Sequence, residues 1–255
     1  MGIPIDLLLN AIVAGLLLGG FYAAVTVGIS ISFGMLDVVN IAHPAFIILG
    51  SYVAFERRGQ EALRGLAFFF GLLFITEVAL ILVFGVDYRY VQAPYIGPTW
   101  RIGFVDLPLR MLVPCVVSLL LVAALQVVLT RTFIGRAIQA VAQDQMALQL
   151  MAANPVRIKR IAFAMSIATA ALAGAFLIII QPVEPSVGRE YIGRVFAICV
   201  LGGMGSLPGT VIAAILLGVV ESFTATFYGP SWAPAVAFGF LLATLAIRPA
   251  GILGR

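Results

Sequence analysis

Few residues in this sequence could do acid, base or metal chemistry, and they stand apart from one another. His43 is the only histidine, and the two cysteines, Cys115 and Cys199, lie in separate apolar stretches. Glu77 and Glu221 are carboxylates in other apolar stretches, where an ionisable side chain is by default a candidate for function. For His43, Glu77 and Glu221 the alternative to a functional role is a structural hydrogen bond, or for Glu221 a position near the outer membrane–water interface. One histidine and two separated thiols cannot form a metal site, so we expect no metal.

The sequence lacks the short motifs of membrane enzymes and of ATP-binding proteins. Neither HExxH nor GxSxG occurs, which argues against an intramembrane enzyme. The single lysine, Lys159, follows Ile158 rather than a glycine, so the chain has no Walker A loop. No stacking aromatics interleave with a basic stripe, which argues against nucleic acid as a partner. We therefore expect no catalysis by this chain and no cofactor bound to it.

Composition predicts a membrane protein. Hydrophobic residues make up 62% of the chain and charged residues 10%, and the mean hydropathy is +1.14. Soluble domains carry roughly 25% charged residues, so lipid must surround much of this chain. The apolar runs are continuous rather than alternating, which favours helices over barrel strands.

Apolar runs of membrane-spanning length divide the chain into candidate helices. These are 7–34, 38–55, 66–85, 109–129, 161–180, 195–227 and 232–247. The first run could be one tilted helix or two passes, and 195–227 is too long for one span. The sequence thus predicts an all-α, polytopic helical membrane protein with about seven spans, six to eight in range, in one transmembrane domain over 1–255.

The distribution of positive charge predicts the orientation of the chain. Ten of the 15 lysine and arginine residues lie in 56–64, 130–160 and 248–255, which we place in the cytoplasm. The other five lie in 86–110 and 181–194, which we place outside. In the second of these loops, Glu184, Arg189, Glu190 and Arg194 are either solvated charges or a docking surface for a binding protein. The segment 195–227 must then start and end outside and turn near 202–209. A break at membrane depth is tolerated where protein buries it or water lines it, which favours a pore-lining element.

The glycine-rich break is the first of two unusual segments. It reads Leu-Gly-Gly-Met-Gly-Ser-Leu-Pro-Gly over 201–209, with Gly205 and Gly209 at the GxxxG spacing. Small residues permit close packing of helices, whereas a broken helix frees backbone groups that can line a solute path. Both interpretations stay open. The candidate path residues here are Gly202, Gly203, Gly205, Ser206 and Gly209.

The second unusual segment is the cytoplasmic loop 131–160. Residues 136–153 are rich in helix formers, and Asn154 and Pro155 are expected to end the helix. Its apolar positions should be Ile138, Val141, Leu148 and Met151. An exposed apolar stripe would suit docking into a groove of a partner protein, and a helix lying on the membrane surface is the alternative.

Several segments resemble the permease subunits of branched-chain amino-acid ABC importers, of the LivH type. The resemblance runs over nearly the whole chain, and the loop and the glycine cluster are its most specific parts. The similar segments are GMLDVVNIAH (34–43), GSY (50–52), GRAIQAVAQD (135–144), NPVRIK (154–159), VLGGMGSLPG (200–209) and RPAGILG (248–254).

The resemblance implies a function and a set of partners. A second permease subunit, two cytoplasmic ATPase subunits that bind the ATP, and a periplasmic substrate-binding protein would assemble with this chain in the bacterial inner membrane. The loop would contact the ATPases, and the solute path would pass the glycine cluster. The implied coupling residues are Gly135, Arg136, Asp144, Asn154 and Arg157, and Asn40 and His43 join the glycine cluster as path residues.

Two departures from the family pattern stand out. Pro44 follows the histidine where the family usually has glycine, and the chain between Tyr52 and Glu56 is about one span too short. Other solutes, such as urea or short-chain amides, are plausible for this family. An ion-coupled secondary transporter that uses Glu77 is the alternative from a different class.

Overall fold

Helices make up most of the chain in the computed structural model, which describes residues 5–36, 61–91, 97–103, 105–150, 153–247 and 251–253. The helices there are α1 (Ile5–Leu36), α2 (Glu61–Phe84), α3 (Leu109–Arg131), α4 (Phe133–Gln143), α5 (Gln145–Leu150), α6 (Pro155–Ile180), α7 (Val187–Gly202), α8 (Leu207–Phe227) and α9 (Ala233–Ile247). A 3-10 turn, Pro230–Trp232, precedes α9, and β1 (Thr99–Ile102) and β2 (Val105–Pro108) form a hairpin. The span predicted over 38–55 lies outside the described residues.

Helix α1 is the central helix of the bundle. Its residues 19–24 are all buried, and Phe21, Val27 and Ile31 are among the most deeply buried side chains. A helix that is apolar all round needs surroundings of protein or lipid, and α1 packs against α3, α6, α7 and α8. It continues without a break through the first apolar run, so the alternative of two passes there is wrong.

Small residues bring α1 and α8 into backbone contact. A Cβ atom added at Gly15 would lie 2.5 Å from Val219 Cα, and one added at Gly19 would lie 2.5 Å from Ile215 Cα. Gly218 of α8 faces Gly19 in the same way. Membrane helices associate through such van der Waals packing, so these glycines fix α1 and α8 as a tight pair.

The membrane-crossing character of the chain is confirmed in outline. Four helices in the described part are long and apolar enough to cross a membrane, namely Ile5–Ile31 of α1 together with α3, α6 and α8. Shorter apolar stretches run over Phe70–Phe84 and Pro230–Thr244. The chain is therefore a polytopic helical membrane protein, and the predicted number of about seven spans stays a prediction.

The two ends of the bundle carry different loops. At one end, the amide of Asp106 in β2 donates to Asn10 Oδ1 near the start of α1, across 2.8 Å. A β-bridge between Arg89 and Val183 joins the loops after α2 and α6 at this hairpin end. Helix α3 runs from β2 to the opposite end of the bundle, where α4 follows it and packs against α1. We call this opposite end the α4 end. The described loop residues 86–91, 97–103, 105–108 and 181–186 thus share a side, as the charge distribution predicted.

The hairpin, together with the Arg89–Val183 bridge, departs from the predicted all-α fold among the described residues. Strand β1 pairs with β2 so that Trp100 lies opposite Leu107 and Arg101 opposite Asp106. Alternation of apolar and polar residues in these short segments is the period of a strand rather than a helix. Arg101 Nε lies 2.8 Å from Asp106 Oδ1, and this hydrogen bond lowers the pKa of the Asp106 carboxyl.

Candidate functional site

A left-handed turn breaks the helix between α7 and α8, as the glycine cluster predicted. Gly203 directly follows α7 and has φ +90°, and Gly205 has φ +82°. Residues with a Cβ atom rarely adopt such positive φ values. Ser206 then starts α8, because its side chain accepts a hydrogen bond from the amide of Gly209 across 3.2 Å. Pro208 lies in the first turn of α8, where its missing N–H costs nothing.

The two arms of this broken helix touch backbone to backbone. A Cβ atom at Gly202 would lie 2.6 Å from the amide nitrogen of Thr210, and one at Gly209 would overlap the carbonyl oxygen of Gly202. Close packing therefore accounts for glycine at both positions. A role of Gly202, Gly203, Gly205, Ser206 and Gly209 in contacting solute stays a prediction, and Asn40 and His43 lie outside the described residues.

A segment after α9 packs against the glycine turn. The amide of Ile252 donates to the carbonyl of Leu201 across 2.7 Å, and the amide of Leu253 donates to that of Gly202 across 3.3 Å. Gly251 has φ +80°, and a Cβ atom there would lie 2.6 Å from the amide nitrogen of Gly203. These bonds satisfy carbonyls that the end of α7 leaves without helical partners. Sequence reasoning noted the motif at 248–254 but assigned it no contact.

A buried polar cluster joins α1, α7 and α8 inside the bundle. The Tyr22 hydroxyl donates to Glu221 Oε2 across 2.6 Å, and Arg194 Nε donates to Oε1 across 3.1 Å. The Arg194 guanidinium lies over the ring of Tyr191, 5.4 Å from its centre. The expectation of a solvated or docking charge is therefore wrong for Arg194, because α7 carries it inward to a side-chain exposure of 16%. No short-range pattern in the sequence links residues so far apart.

Glu77 is also paired. Its carboxylate lies 2.8 Å from the guanidinium of Arg189 at the start of α7. The glutamate is mostly buried, whereas the arginine is half exposed. The structural alternative for Glu77 was a hydrogen bond between helices, and the structure shows an ion pair between α2 and α7 in its place. An ion pair satisfies this carboxylate without any proton-carrying role.

The loop between α3 and α6, predicted to be cytoplasmic, contains two helices in its described part, and the prediction of one helix over 136–153 is wrong. Asp144 has an extended backbone that ends α4, and its side chain accepts a hydrogen bond from the amide of Met146 across 2.8 Å. Aspartate caps a helix better than it continues one, so α5 starts here.

The apolar stripe of this loop faces the chain's own bundle. Ile138, Val141 and Leu148 are buried, and α4 packs on α1, α3 and α6. The prediction of an exposed stripe that docks into a partner is therefore wrong for these three residues. Met151 lies outside the described residues. Among the described residues of α4 and α5, the large apolar side chains that are exposed are Phe133, Ile134, Met146 and Leu150.

The implied coupling residues divide into one buried glycine and four exposed side chains. Gly135 packs on the end of α3, and a Cβ atom there would overlap the backbone of Leu129. Asn154 begins α6, because its Oδ1 accepts from the amides of Val156 and Arg157 across 3.0 and 3.3 Å. Arg136, Asp144, Asn154 and Arg157 are all exposed at the α4 end.

Comparison with known proteins finds similarity along nearly the whole chain. The family profile of "Branched-chain amino acid transport system / permease component" matches residues 61–245. The permease protein BraD of a high-affinity branched-chain amino acid transport system of Pseudomonas aeruginosa is 28% identical over an alignment 295 positions long, gaps included, which covers 97% of this chain and 96% of the relative. The corresponding LivH protein of Escherichia coli is 26% identical, with 94% of each chain covered.

A second kind of permease matches part of the chain. The LivM permease protein of Escherichia coli is 34% identical over 148 residues, which is 54% of this chain and 34% of that protein. No solved structure matches the chain significantly.

The alignments also bear on the length of the chain. The alignment with BraD is 295 residues long, whereas this chain has 255, so the alignment must open gaps in this chain. That difference agrees with the prediction of a shortened chain. The predicted position of the deletion, between Tyr52 and Glu56, lies outside the described residues.

Proposed function

The chain belongs to the family of permease components of branched-chain amino acid transport systems, and we propose that it forms half of the membrane channel of an ATP-binding-cassette importer for branched-chain amino acids. The observation that carries this proposal is the family match over 61–245, which includes both the coupling loop and the glycine turn. The comparisons do not favour urea or amides as the solute.

The proposed assembly has four kinds of subunit in or at the bacterial inner membrane. A second permease completes the channel, and the similarity to LivM supports a diverged rather than an identical partner. Two cytoplasmic ATPases bind the exposed surface of α4 and α5, and a periplasmic binding protein delivers the solute at the hairpin end. ATP is bound only by the ATPases.

The packing supports a route from the coupling loop to the broken helix. Helix α4 contacts α1 and, through Gly135, the end of α3. Ser30 near the far end of α1 is hydrogen-bonded to Thr210, which directly follows Gly209, across 3.0 Å. In the proposed mechanism, ATP-driven closure of the ATPases moves α4, and α1 transmits the motion to the turn at 202–209. The solute path passes Asn40, His43, Gly202, Gly203, Gly205, Ser206 and Gly209.

Purification of the tagged chain from its native membrane in a gentle detergent tests the assembly. The proposal predicts that ATPases with Walker A loops and a second permease co-purify and are identified by mass spectrometry. A chain that purifies alone under conditions that keep other importers intact would contradict it.

A further inference from the structure

Exposed tyrosine and tryptophan residues are confined to one end of the described bundle. They are both tryptophans of the chain and each described tyrosine outside the buried cluster. Trp100 lies in the hairpin, and Tyr88 and Tyr90 flank the Arg89–Val183 bridge. Tyr228 and Trp232 follow α8, whose Ser222 hydroxyl donates to the Ala11 carbonyl near the start of α1. All five are more than half exposed. We call this set the aromatic girdle, and its members are Tyr88, Tyr90, Trp100, Tyr228 and Trp232.

Each member of the girdle lies close to the end of an apolar helix. Tyr228 directly follows α8, and Trp232 directly precedes α9. Trp100 pairs with Leu107, two residues before α3 begins, so the hairpin register brings it within about 7 Å along the strand of that helix start. Tyr88 and Tyr90 follow the end of α2 at Phe84 by four and six residues. The five residues therefore lie next to four helix ends on one side of the bundle.

The hairpin has one apolar and one charged face. Side chains alternate between the faces of a strand, so Trp100 and Ile102 share a face with their partners Leu107 and Val105. Trp100 and Ile102 are exposed, at 58% and 64%. The other face carries the Arg101–Asp106 ion pair. A structure of this kind is suited to lie flat at a boundary between water and an apolar phase.

The α4 end differs in its exposed large side chains. The loop there exposes Phe133, Ile134, Met146 and Leu150, which have no polar group to face water. The girdle, in contrast, consists of rings that combine an apolar body with an N–H or O–H group. The asymmetry indicates a specific environment at the hairpin end rather than general surface hydrophobicity.

We propose that the aromatic girdle lies in the phospholipid headgroup layer of the leaflet at the hairpin end, with the β1–β2 hairpin in the plane of the membrane surface. Tryptophan and tyrosine are enriched at this depth because their rings contact acyl chains while their polar groups bond to headgroups and water. The position beside four helix ends and the amphipathic hairpin support lipid as the occupant. A water-exposed docking face would not need this alignment with the helix ends.

Tryptophan fluorescence of the purified full complex in lipid nanodiscs tests the proposal directly. Within this chain the variants Trp232→Phe and Trp100→Phe leave one tryptophan each, and subtracting the signal of the double variant removes the tryptophans of the other subunits and of the nanodisc scaffold. Brominated phosphatidylcholines carry the quencher either high or low on the acyl chain. A depth control places a tryptophan at Leu120, which is exposed in the middle of α3, in a chain with both native tryptophans replaced. Aqueous iodide reports access from water.

The girdle predicts that Trp100 and Trp232 are each quenched more by shallow than by deep bromine, and only weakly by iodide. The Leu120→Trp control should show the reverse preference for bromine depth. Strong iodide quenching of Trp100 with no bromine quenching would overturn the proposal. Iodide quenching that disappears only on addition of the periplasmic binding protein would also overturn it, and would identify the hairpin as a protein docking surface.

Discussion

The hydroxyl of Tyr22 donates to Oε2 of Glu221 across 2.6 Å, although 199 residues separate the two in the sequence. The other carboxylate oxygen accepts from Arg194, so one glutamate holds together the central helix and both arms of the broken helix. A charge within the bundle must be paired to be tolerated, so each partner depends on the other.

Removal of the carboxylate should destabilise the protein more than removal of the phenol. Glu221→Ala leaves Arg194 unpaired and should cost about 3–5 kcal/mol, whereas Tyr22→Phe loses one charged hydrogen bond and should cost about 1.5–3 kcal/mol. Thermal unfolding in detergent measures both effects. Tyr228→Phe, at an exposed ring, is the matched control. Equal Tm values for Glu221→Ala and the control would contradict the role of this cluster.

The backbone contact between α7 and α8 predicts a marked difference between glycine positions. Gly209→Ala should lower stability by about 1–3 kcal/mol, because the new Cβ overlaps the Gly202 carbonyl. Gly239→Ala in α9 is the control, since a Cβ atom there meets nothing within 4 Å. The comparison again uses thermal unfolding, and a Gly209→Ala variant as stable as the control would refute the close contact.

The segment after α9 should matter for the same turn. Gly251→Val combines strain at φ +80° with a clash at Gly203, and it should detach the segment from the carbonyls of Leu201 and Gly202. Faster hydrogen exchange at the amide of Ile252 measures the loss. Leu253→Ala serves as the control, because it keeps the backbone bonds. Unchanged protection in Gly251→Val would show that the segment is held by other contacts.

A substitution in the exposed part of the loop should weaken partner binding without disturbing the fold. Leu150→Glu places a charge on an exposed apolar residue of α5 and should reduce co-purification of the ATPases at least tenfold, with no change in Tm. Gln143→Glu adds the same charge at an exposed polar position of α4 and should leave co-purification intact. If both variants retain the ATPases equally, the docking surface lies elsewhere.

Features that depend on residues close together in the sequence were predicted, whereas features that depend on contacts between distant segments were not. Hydropathy predicted α1, α3, α6 and α8, and the glycine and proline residues predicted the break at 202–209, because these signals lie within single segments. Helix propensity over 136–153 missed the break, which depends on the capping geometry of Asp144. The partners of Glu77 and Glu221 were not predicted, because pairing across helices leaves no trace in local spacing.

The buried position of Arg194 also could not be predicted from the local sequence. A charge near the end of a loop was expected to be solvated, yet α7 begins at Val187 and carries the arginine two turns into the bundle. Only the tertiary contact with Glu221 explains why a charged residue occupies that position.

Uptake of radiolabelled leucine by proteoliposomes tests the central claim most directly. The vesicles would contain the complex purified through this chain, together with its binding protein, and the wild type would be compared with Glu77→Gln. The account predicts uptake that requires ATP on the side of the vesicle membrane where the ATPases lie. This uptake should not depend on a proton gradient and should be largely preserved in Glu77→Gln. Uptake that follows the proton gradient without ATP and is abolished by Glu77→Gln would contradict it and establish an ion-coupled carrier.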